Sequence, residues 1–546
     1  MSIFQKKSLD TLLAESHDKG VHSLRKTLGP YSLIALGLGA IIGAGLFSIT
    51  GNAAANYAGS AITISFVISA LGCCFAGLCY AEFASMLPVA GSAYTYAYAT
   101  LGEFIAWVIG WDLMLEYAVA SATVSVSWSR YFVKLLEGFQ IHLPDTLTAC
   151  PWDGGVVNLP AAFIIIVMSL LLIKGTKSSS LINSIIVFLK VAVVLVFIVL
   201  GWRFVNSDNY TPYIPENTGV WGEYGFSGII RAAAIVFFAF IGFDAVSTAA
   251  QETKNPKRNM PIGILGSLAI CVVLYILFSY VMTGVVHYTA FKGHDGIAPV
   301  AIAIDHMGTA LPDGSIQPAY PWLNKVIILA ILAGYSSVIL VMLLGQSRVF
   351  YSMSKDGLLP KVFSQVHAKF RTPYKSNLLF LLFVSVFALF VPARVAGELT
   401  SIGTLFAFII VCTSIWIMRK KMPEIPRTFK VPFVPLIPLL GVGTCLFMMI
   451  FLPFDTWIRL ILWMLFGHDL YVYYGSKHSN LYNRNSQEKG NIVLFYIGIG
   501  IALVLSAFVI VQQTTNGWKE SIGFSMVLLF IAVVHILLYG IRILRR

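Results

Sequence analysis

The stretch Gly37-Leu-Gly-Ala-Ile-Ile-Gly-Ala-Gly45 sits inside the first long apolar run of the chain. No charge occurs between Leu33 and Ile49, so the run belongs in hydrocarbon. Glycine nonetheless weakens a helix by about 1 kcal/mol per residue relative to alanine. Backbone freed at that depth is tolerated only where it is buried in protein or lines a cavity. The stretch is therefore a candidate binding site near the middle of a membrane. Gly39 and Gly43 also make a G-x-x-x-G face, which serves close helix packing instead. Taken alone, the stretch fits both readings.

The remainder of the chain supplies the membrane. Hydrophobic residues make up 58% of the 546 and charged residues 11%, with a mean hydropathy of +0.80. A soluble protein would carry about a quarter charged residues. An all-α polytopic membrane protein is expected, because the apolar runs are too long for barrel strands. The first 29 residues are polar and mixed in charge. The run after them is too long for a signal peptide and lacks a small-residue cleavage site. Cys73, Cys74, Cys79, Cys150, Cys271, Cys412 and Cys445 fall almost entirely in apolar runs and read as small packing residues. The histidines form no zinc motif, and no metal or cofactor is expected.

Apolar segments of spanning length read at 30–52, 60–84, 98–128, 160–173, 183–204, 228–250, 262–286, 322–350, 376–392, 397–418, 434–452, 455–474, 491–512 and 521–541. They are numbered 1 to 14 below. With the N-terminus inside, the outer stretches and the outer ends of the segments hold only Arg130, Lys134, Arg203, Lys292, Lys325, Arg394 and Lys519. Lys190, Arg231 and Arg459 fall within segments. The remaining Lys and Arg face the cytoplasm, a bias of roughly four to one that agrees with the positive-inside rule. Both termini are thus expected in the cytoplasm of a cell membrane, plasma or bacterial inner. The net charge of +12 faces anionic lipid and calls for no nucleic acid.

The chain divides into a cytoplasmic tail (1–29), a core of ten segments (30–418), segments 11 and 12 (419–475), a polar linker (476–490), and two extra segments with a basic tail (491–546). Arg348 to Pro373 alternates basic and apolar residues and is expected along the cytoplasmic surface. Pro423 to Pro432 is stiffened by proline, and the outer loop 287–321 is long enough for a cap with short helices.

Segment 6 carries a second interruption. Phe237-Phe-Ala-Phe-Ile-Gly-Phe-Asp244 is followed by Ser247, Thr248 and Gln251. An ionisable group at that depth is a functional-site hypothesis, since it costs several kcal/mol without a partner. Segments 1 and 6 each open a block of five, and interruptions at matching positions of two halves point to a transporter built from inverted repeats. A half-helix N-terminus offers free N–H groups to a carboxylate. Free carbonyls at a half-helix C-terminus suit an ammonium. An α-amino acid, with both charges on one carbon, fits two such breaks meeting at mid-membrane.

These residues join others in a familiar order. Leu24-Arg-Lys-Thr-Leu-Gly-Pro30 precedes segment 1, and Gly39 to Phe47 lies within it. Tyr80-Ala-Glu-Phe83, Pro88-Val-Ala-Gly-Ser-Ala-Tyr94 and Gly110-Trp-Asp-Leu-Met-Leu-Glu-Tyr117 follow. Phe238 to Thr248, Glu252-Thr-Lys-Asn-Pro256, Gly345-Gln-Ser-Arg348 and Asp356-Gly-Leu-Leu-Pro360 complete the set. The chain resembles, over about residues 24–475, the amino acid–polyamine–organocation superfamily, and within it the cationic amino acid transporter family with its bacterial ApcT-like members. The resemblance implies a LeuT-type fold, a 5+5 inverted repeat with additional C-terminal spans. It implies a substrate carboxylate at the N–H groups of Gly43, Ala44 and Gly45, and an amine at the carbonyls of Ile41, Phe238, Ala239 and Ile241. Phe238 stands where relatives place an aromatic gate. Ala44 replaces a Ser or Thr found in many relatives, so one hydroxyl contact to the carboxylate is missing here. Met342 would help to shape the side-chain pocket.

Lys190 lies amid five apolar residues on either side, near the middle of segment 5. A lysine that gains and loses a proton there is a candidate coupling site, and one that stays charged would bridge segments 1, 5 and 8. In the ApcT-like branch a lysine at this place fills the site where sodium-coupled relatives bind sodium. Its ammonium would meet carbonyls of the first break and hydroxyls of Ser336 or Ser337. That favours the proton over sodium as partner ion. Glu116 and Asp244 are further buried carboxylates, which steer a cationic side chain, relay protons, or pair with each other or with polar neighbours. Asp112 lies one turn from Glu116 and shares its surroundings. Arg231 snorkels or joins an outer gate.

The expected function is secondary active import of amino acids by proton-coupled symport and alternating access, with antiport or facilitated uniport as the alternative. No enzyme is expected, because no H-E-x-x-H motif or Ser/His dyad falls on facing segments. A channel or receptor would lack the paired breaks. Asn209-Tyr-Thr211 forms a glycosylation sequon in an outer loop, a tripeptide that often arises by chance. The sequence leaves open whether the substrate is cationic or small and neutral.

Overall fold

A computed structural model describes residues 4–8, 11, 28–87, 89, 91–174, 179–250, 253–292, 299–310, 316–367, 372–481, 484–516 and 522–544. Pro88, Ala90, Gln251, Glu252, Lys519 and most of the N-terminal tail, all named above, lie outside the described residues. Pro30 opens the first helix, Pro30–Ile41, where its fixed φ and missing N–H do no harm. Similar prolines start Pro256–Val285 and Pro321–Lys355. Among the described residues, nine helical stretches are long and apolar enough to cross a membrane. They become ten with the bent pair Leu436–Ile450 and Phe454–His478, whose parts meet at 114°. Leu159–Lys174 and Tyr374–Phe390 are shorter apolar helices at segments 4 and 9. The stretch Pro30–Met86 runs 57 residues. At ~1.5 Å per residue it exceeds twice the ~30 Å hydrocarbon thickness.

The helices pack in a recurring pattern. Glu103–Glu137 lies along Pro321–Lys355 and Ala393–Lys421, while Pro321–Lys355 also meets Ser179–Gly201. Pro256–Val285 runs along both Ile62–Met86 and Pro30–Ile41, and Gly225–Val236 packs on Ile62–Met86. Segment 12 is fastened to segment 3 by tryptophans. The Trp111 and Trp463 rings stack 4.5 Å apart, and each indole N–H donates to the other's carbonyl. The last two segments share a small apolar core with segment 12, built from Ile458, Leu465, Leu505, Val509 and Leu528. His468 Nε2 lies 2.9 Å from the Leu494 carbonyl, and His535 Nε2 lies 2.7 Å from Asp469. Both histidines therefore hold hydrogen-bonded places between these segments.

Several connections differ from the sequence expectation. Arg348 to Lys355 continues the helix Pro321–Lys355 instead of lying along a surface, and only Lys361–Ser364 is a separate short turn. The outer loop has the short helices Tyr288–Phe291 and Pro299–Asp305, but also an antiparallel hairpin pairing Gly308–Ala310 with Ile316–Pro318. Helix Arg484–Asn516 starts inside the stretch read as a polar linker, because charged residues at the end of a helix do not stop it. The proline-rich loop is held by buried Glu82. Its carboxylate accepts from Arg419 Nε at 3.0 Å and from the Val431 N–H at 2.6 Å, and lies 3.3 Å from Arg427. Asn209 donates its amide to the Gly284 carbonyl at 2.7 Å, so the sequon's acceptor nitrogen is already in use.

Candidate functional site

Both sequence interruptions are breaks in the helices, and they cross. The first helix stops at Ile41, and Ile42 turns extended at φ −71 and ψ 105. The chain resumes a helical path at Ala44, with the N–H groups of Leu46 and Phe47 both donating to the Gly43 carbonyl at 3.2 Å. No hydrogen bond from the N–H of Gly43, Ala44 or Gly45 is found among the described residues. They are the orphan donors of a new half-helix. The second break follows Gly225–Val236. A tight turn, Phe237–Phe240, leads to extended Ile241, and Gly242 then takes φ +116.

Two glycines let the breaks touch. A Cβ on Gly45 would collide with the Cα of Ala239. One on Gly242 would lie 2.9 Å from the Ala40 carbonyl carbon, and its φ is one that a side chain would strain. The packing reading and the site reading of these glycines are thus not alternatives. Close approach of the two backbones brings the free N–H groups of one break beside the carbonyls of the other.

Those carbonyls are partly occupied. Tyr275, in the apolar helix Pro256–Val285, places its hydroxyl 3.0 Å from both the Ile41 and the Ala239 carbonyl oxygens. The Phe238 carbonyl accepts from the Ile241 N–H at 3.2 Å. Tyr275 escaped the sequence reading, although a hydroxyl in an apolar segment always needs a partner. One donor spanning both breaks holds them in register. Tyr275→Phe is expected to lower the thermal stability of the purified protein in detergent, by roughly the 1–3 kcal/mol that a buried unpaired polar group costs. An unchanged melting curve would show that the bridge holds nothing.

Segment 8 lines the opposite side. Val338 approaches Gly43, with its Cγ2 3.1 Å from where a Cβ would stand. Tyr335 and Met342 are buried on the same helical face. Lys190 is 1% exposed, and its Nζ donates to the Gly39 carbonyl at 2.7 Å, just before the first break. Its aliphatic stem lies on Gly334 of segment 8. Ser336 and Ser337 donate instead to the carbonyls of Leu332 and Gly334 in their own helix. Serine so placed satisfies itself locally, and neither hydroxyl is a hydrogen-bond partner of Lys190 among the described residues.

Three buried carboxylates lie near the second break, with Asp244 two residues beyond Gly242. Asp244 accepts from the Tyr117 hydroxyl at 2.5 Å through one oxygen. Its other oxygen, and both oxygens of Glu116 and of Asp112, have no hydrogen-bond partner among the described residues. Asp244 therefore pairs with a polar neighbour rather than a cation. On segment 6, two turns before the break, the Arg231 guanidinium lies 4.6 Å over the ring of Tyr57. This ties segment 6 to the stretch that follows segment 1.

Comparison with known proteins gives the family. The family model described as "Amino acid permease" matches residues 28–468. The branched-chain amino acid permease BcaP of Bacillus subtilis is 45% identical over 486 residues, covering 88% of this chain and 99% of that protein. The methylthioribose transporter of the same organism is 42% identical over 482 residues, with the same coverage of 88% and 99%. A vacuolar cationic amino acid transporter 4 of Arabidopsis thaliana is 33% identical over 426 residues, covering 78% of this chain and 68% of that one.

Proposed function

We propose, from the premise that this chain belongs to the amino acid permease family of the amino acid–polyamine–organocation superfamily and is a transporter rather than an enzyme, that it imports α-amino acids with apolar side chains by proton-coupled symport. The observation that carries this is the crossing of the two breaks. Free N–H groups at Gly43, Ala44 and Gly45 suit the carboxylate, and the carbonyls of Ile41, Phe238, Ala239 and Ile241 suit the amine. Tyr275 would share two of those carbonyls with it, since a carbonyl accepts twice. Phe238, Ile241, Val338 and Met342 are all buried, and in this reading they would offer the side chain an apolar wall. The names of the relatives include branched-chain and cationic amino acids and methylthioribose, and the wall favours the first. The carboxylates of Asp112, Glu116 and Asp244 do not serve a cationic cargo in this reading.

Alternating access would follow from a 5+5 inverted repeat. In support, the packing of segment 1 on 7 and of 3 on 10 has its counterpart five segments on, in 6 on 2 and 8 on 5. Reading Pro30–Met86 as two crossings, the bent pair as two, and the two shorter helices as one each gives fourteen spans, with both termini cytoplasmic. Lys190, beside the Gly39 carbonyl, is the coupling residue in this reading. The test is uptake of labelled leucine into proteoliposomes under an inward proton gradient, with competition by all twenty amino acids. Accumulation that a protonophore abolishes and valine and isoleucine inhibit is expected. Competition by arginine alone, or uptake indifferent to the protonophore, would refute the substrate or the coupling in turn.

A further inference from the structure

Beyond its break, segment 1 is not a plain α-helix, and its helical path runs on past residue 52 to Ala58. Two π-helical turns, Gly45–Ile49 and Ala54–Ala58, flank Thr50–Ala53. A π turn inserts one residue into the ladder and is found mostly at functional positions. The shifted ladder leaves carbonyls that must find donors elsewhere. In each turn a tyrosine hydroxyl supplies one. Tyr131, fully buried on segment 3, donates to the Phe47 carbonyl at 2.6 Å. Tyr224, just ahead of segment 6, donates to the Ala55 carbonyl, and its N–H donates to the Tyr57 carbonyl at 2.8 Å.

The two tyrosines belong to different bodies. Tyr224 joins the outer end of segment 1 to segment 6, the helix that already crosses it at the break. Tyr131 ties the same outer half to segment 3, which packs on segments 8 and 10. Beside it the Ser48 and Tyr335 hydroxyls lie 2.8 Å apart, adding a bond to segment 8 at the same turn. Pro299 of the outer loop lies so close to Gly51 that a Cβ there would collide with it. Phe47 is two residues beyond Gly45, so a shift of its carbonyl shifts the N–H groups of Gly43 to Gly45 as well.

We propose that Tyr131 is a positioning residue: through the Phe47 carbonyl it pins the outer half of segment 1 in its closed place, and release of that bond opens the site to the outside. The proposal rests on the transport reading and its orientation. Tyr131 touches no substrate in it. The phenol-to-phenyl change keeps the packed ring and removes only the bond.

The experiment uses the full chain in intact cells, with Val338→Cys as a reporter beside Gly43 and Cys150→Ser to remove the outer-loop thiol. A membrane-impermeant maleimide is the probe. Tyr131→Phe is expected to speed labelling of the reporter at least fivefold. Tyr539→Phe, which removes a hydroxyl in the last segment, is expected to leave the rate unchanged. Equal rates with and without Tyr131→Phe overturn the proposal, and so does equal acceleration by Tyr539→Phe, which would mean general loosening. Should Tyr131→Phe fail to reach the membrane, Ser48→Ala removes the companion bond at the same turn and is judged by the same comparison. Failure of the transport reading looks different: none of the twenty amino acids would then protect the reporter cysteine from the maleimide.

Discussion

Lys190→Ala is expected to abolish accumulation driven by a proton gradient while counterflow exchange of the same amino acid persists. The lysine is 1% exposed, and its Nζ reaches the Gly39 carbonyl at 2.7 Å. Its partner is a neutral carbonyl, with no carboxylate bonded to it among the described residues, so no ion pair fixes its charge. Losing the charge weakens a charge-assisted bond to an ordinary one. That bond sits two residues before the end of the first half-helix, so a proton gained or lost at Lys190 would be felt at the break itself. Alanine removes both the donor and the cycle. Lys190→Arg separates the two roles, because arginine keeps its charge under all conditions. If a fixed charge is all that is needed, arginine restores accumulation; if the proton must come and go, it does not. Full pH-dependent accumulation in Lys190→Ala would sink the coupling role.

The sequence made the two breaks legible because glycine in an apolar run and an aspartate at mid-depth are both costly, so each demands a reason. It could not say that the breaks touch. That depends on Gly45 meeting Ala239 and Gly242 meeting Ala40, contacts separated by some two hundred residues. Tyr275 stayed hidden for a different reason. Aromatic residues are common in membrane segments, and nothing local to residue 275 distinguishes a belt tyrosine from one aimed at two carbonyls. The roles expected of Ser336 and Ser337 come from the resemblance, but a helix offers every serine a carbonyl one turn back. The outer hairpin at 308–318 also left no clear trace, being too short for an alternating pattern to register.

The tyrosines share a logic that the residue list alone does not display. Tyr117, Tyr131, Tyr224 and Tyr275 each donate to an acceptor on segment 1 or segment 6, the two broken helices. Broken helices leave carbonyls and N–H groups that water cannot reach in hydrocarbon. A phenol carries its donor at the end of a large apolar ring, so it can cross an apolar gap to meet them. Such bonds are individually modest, which would suit the shifting of broken helices that the alternating-access proposal calls for.

Gly45→Ala is expected to cost about a hundredfold in substrate affinity, whereas Gly43→Ala should cost less than about tenfold. The two positions lie in the same cradle and differ in what stands opposite. A Cβ on Gly45 meets the Cα of Ala239, a backbone atom that cannot turn aside. The two breaks must then separate, and the N–H groups leave the carbonyls they were set beside. Overpacking of this kind costs roughly 1–3 kcal/mol, and every 1.4 kcal/mol is tenfold in affinity. A Cβ on Gly43 meets a Val338 methyl at 3.1 Å, which a small rotation relieves. Gly43→Val adds two more methyls on that side and is expected to remove binding while the protein still reaches the membrane. Measured by binding of labelled leucine to purified protein, the order wild type, Gly43→Ala, then Gly43→Val and Gly45→Ala distinguishes a built cradle from general helix packing. Packing alone predicts that stability falls with affinity in all three variants. A cradle predicts that Gly43→Val melts near the wild type and still fails to bind.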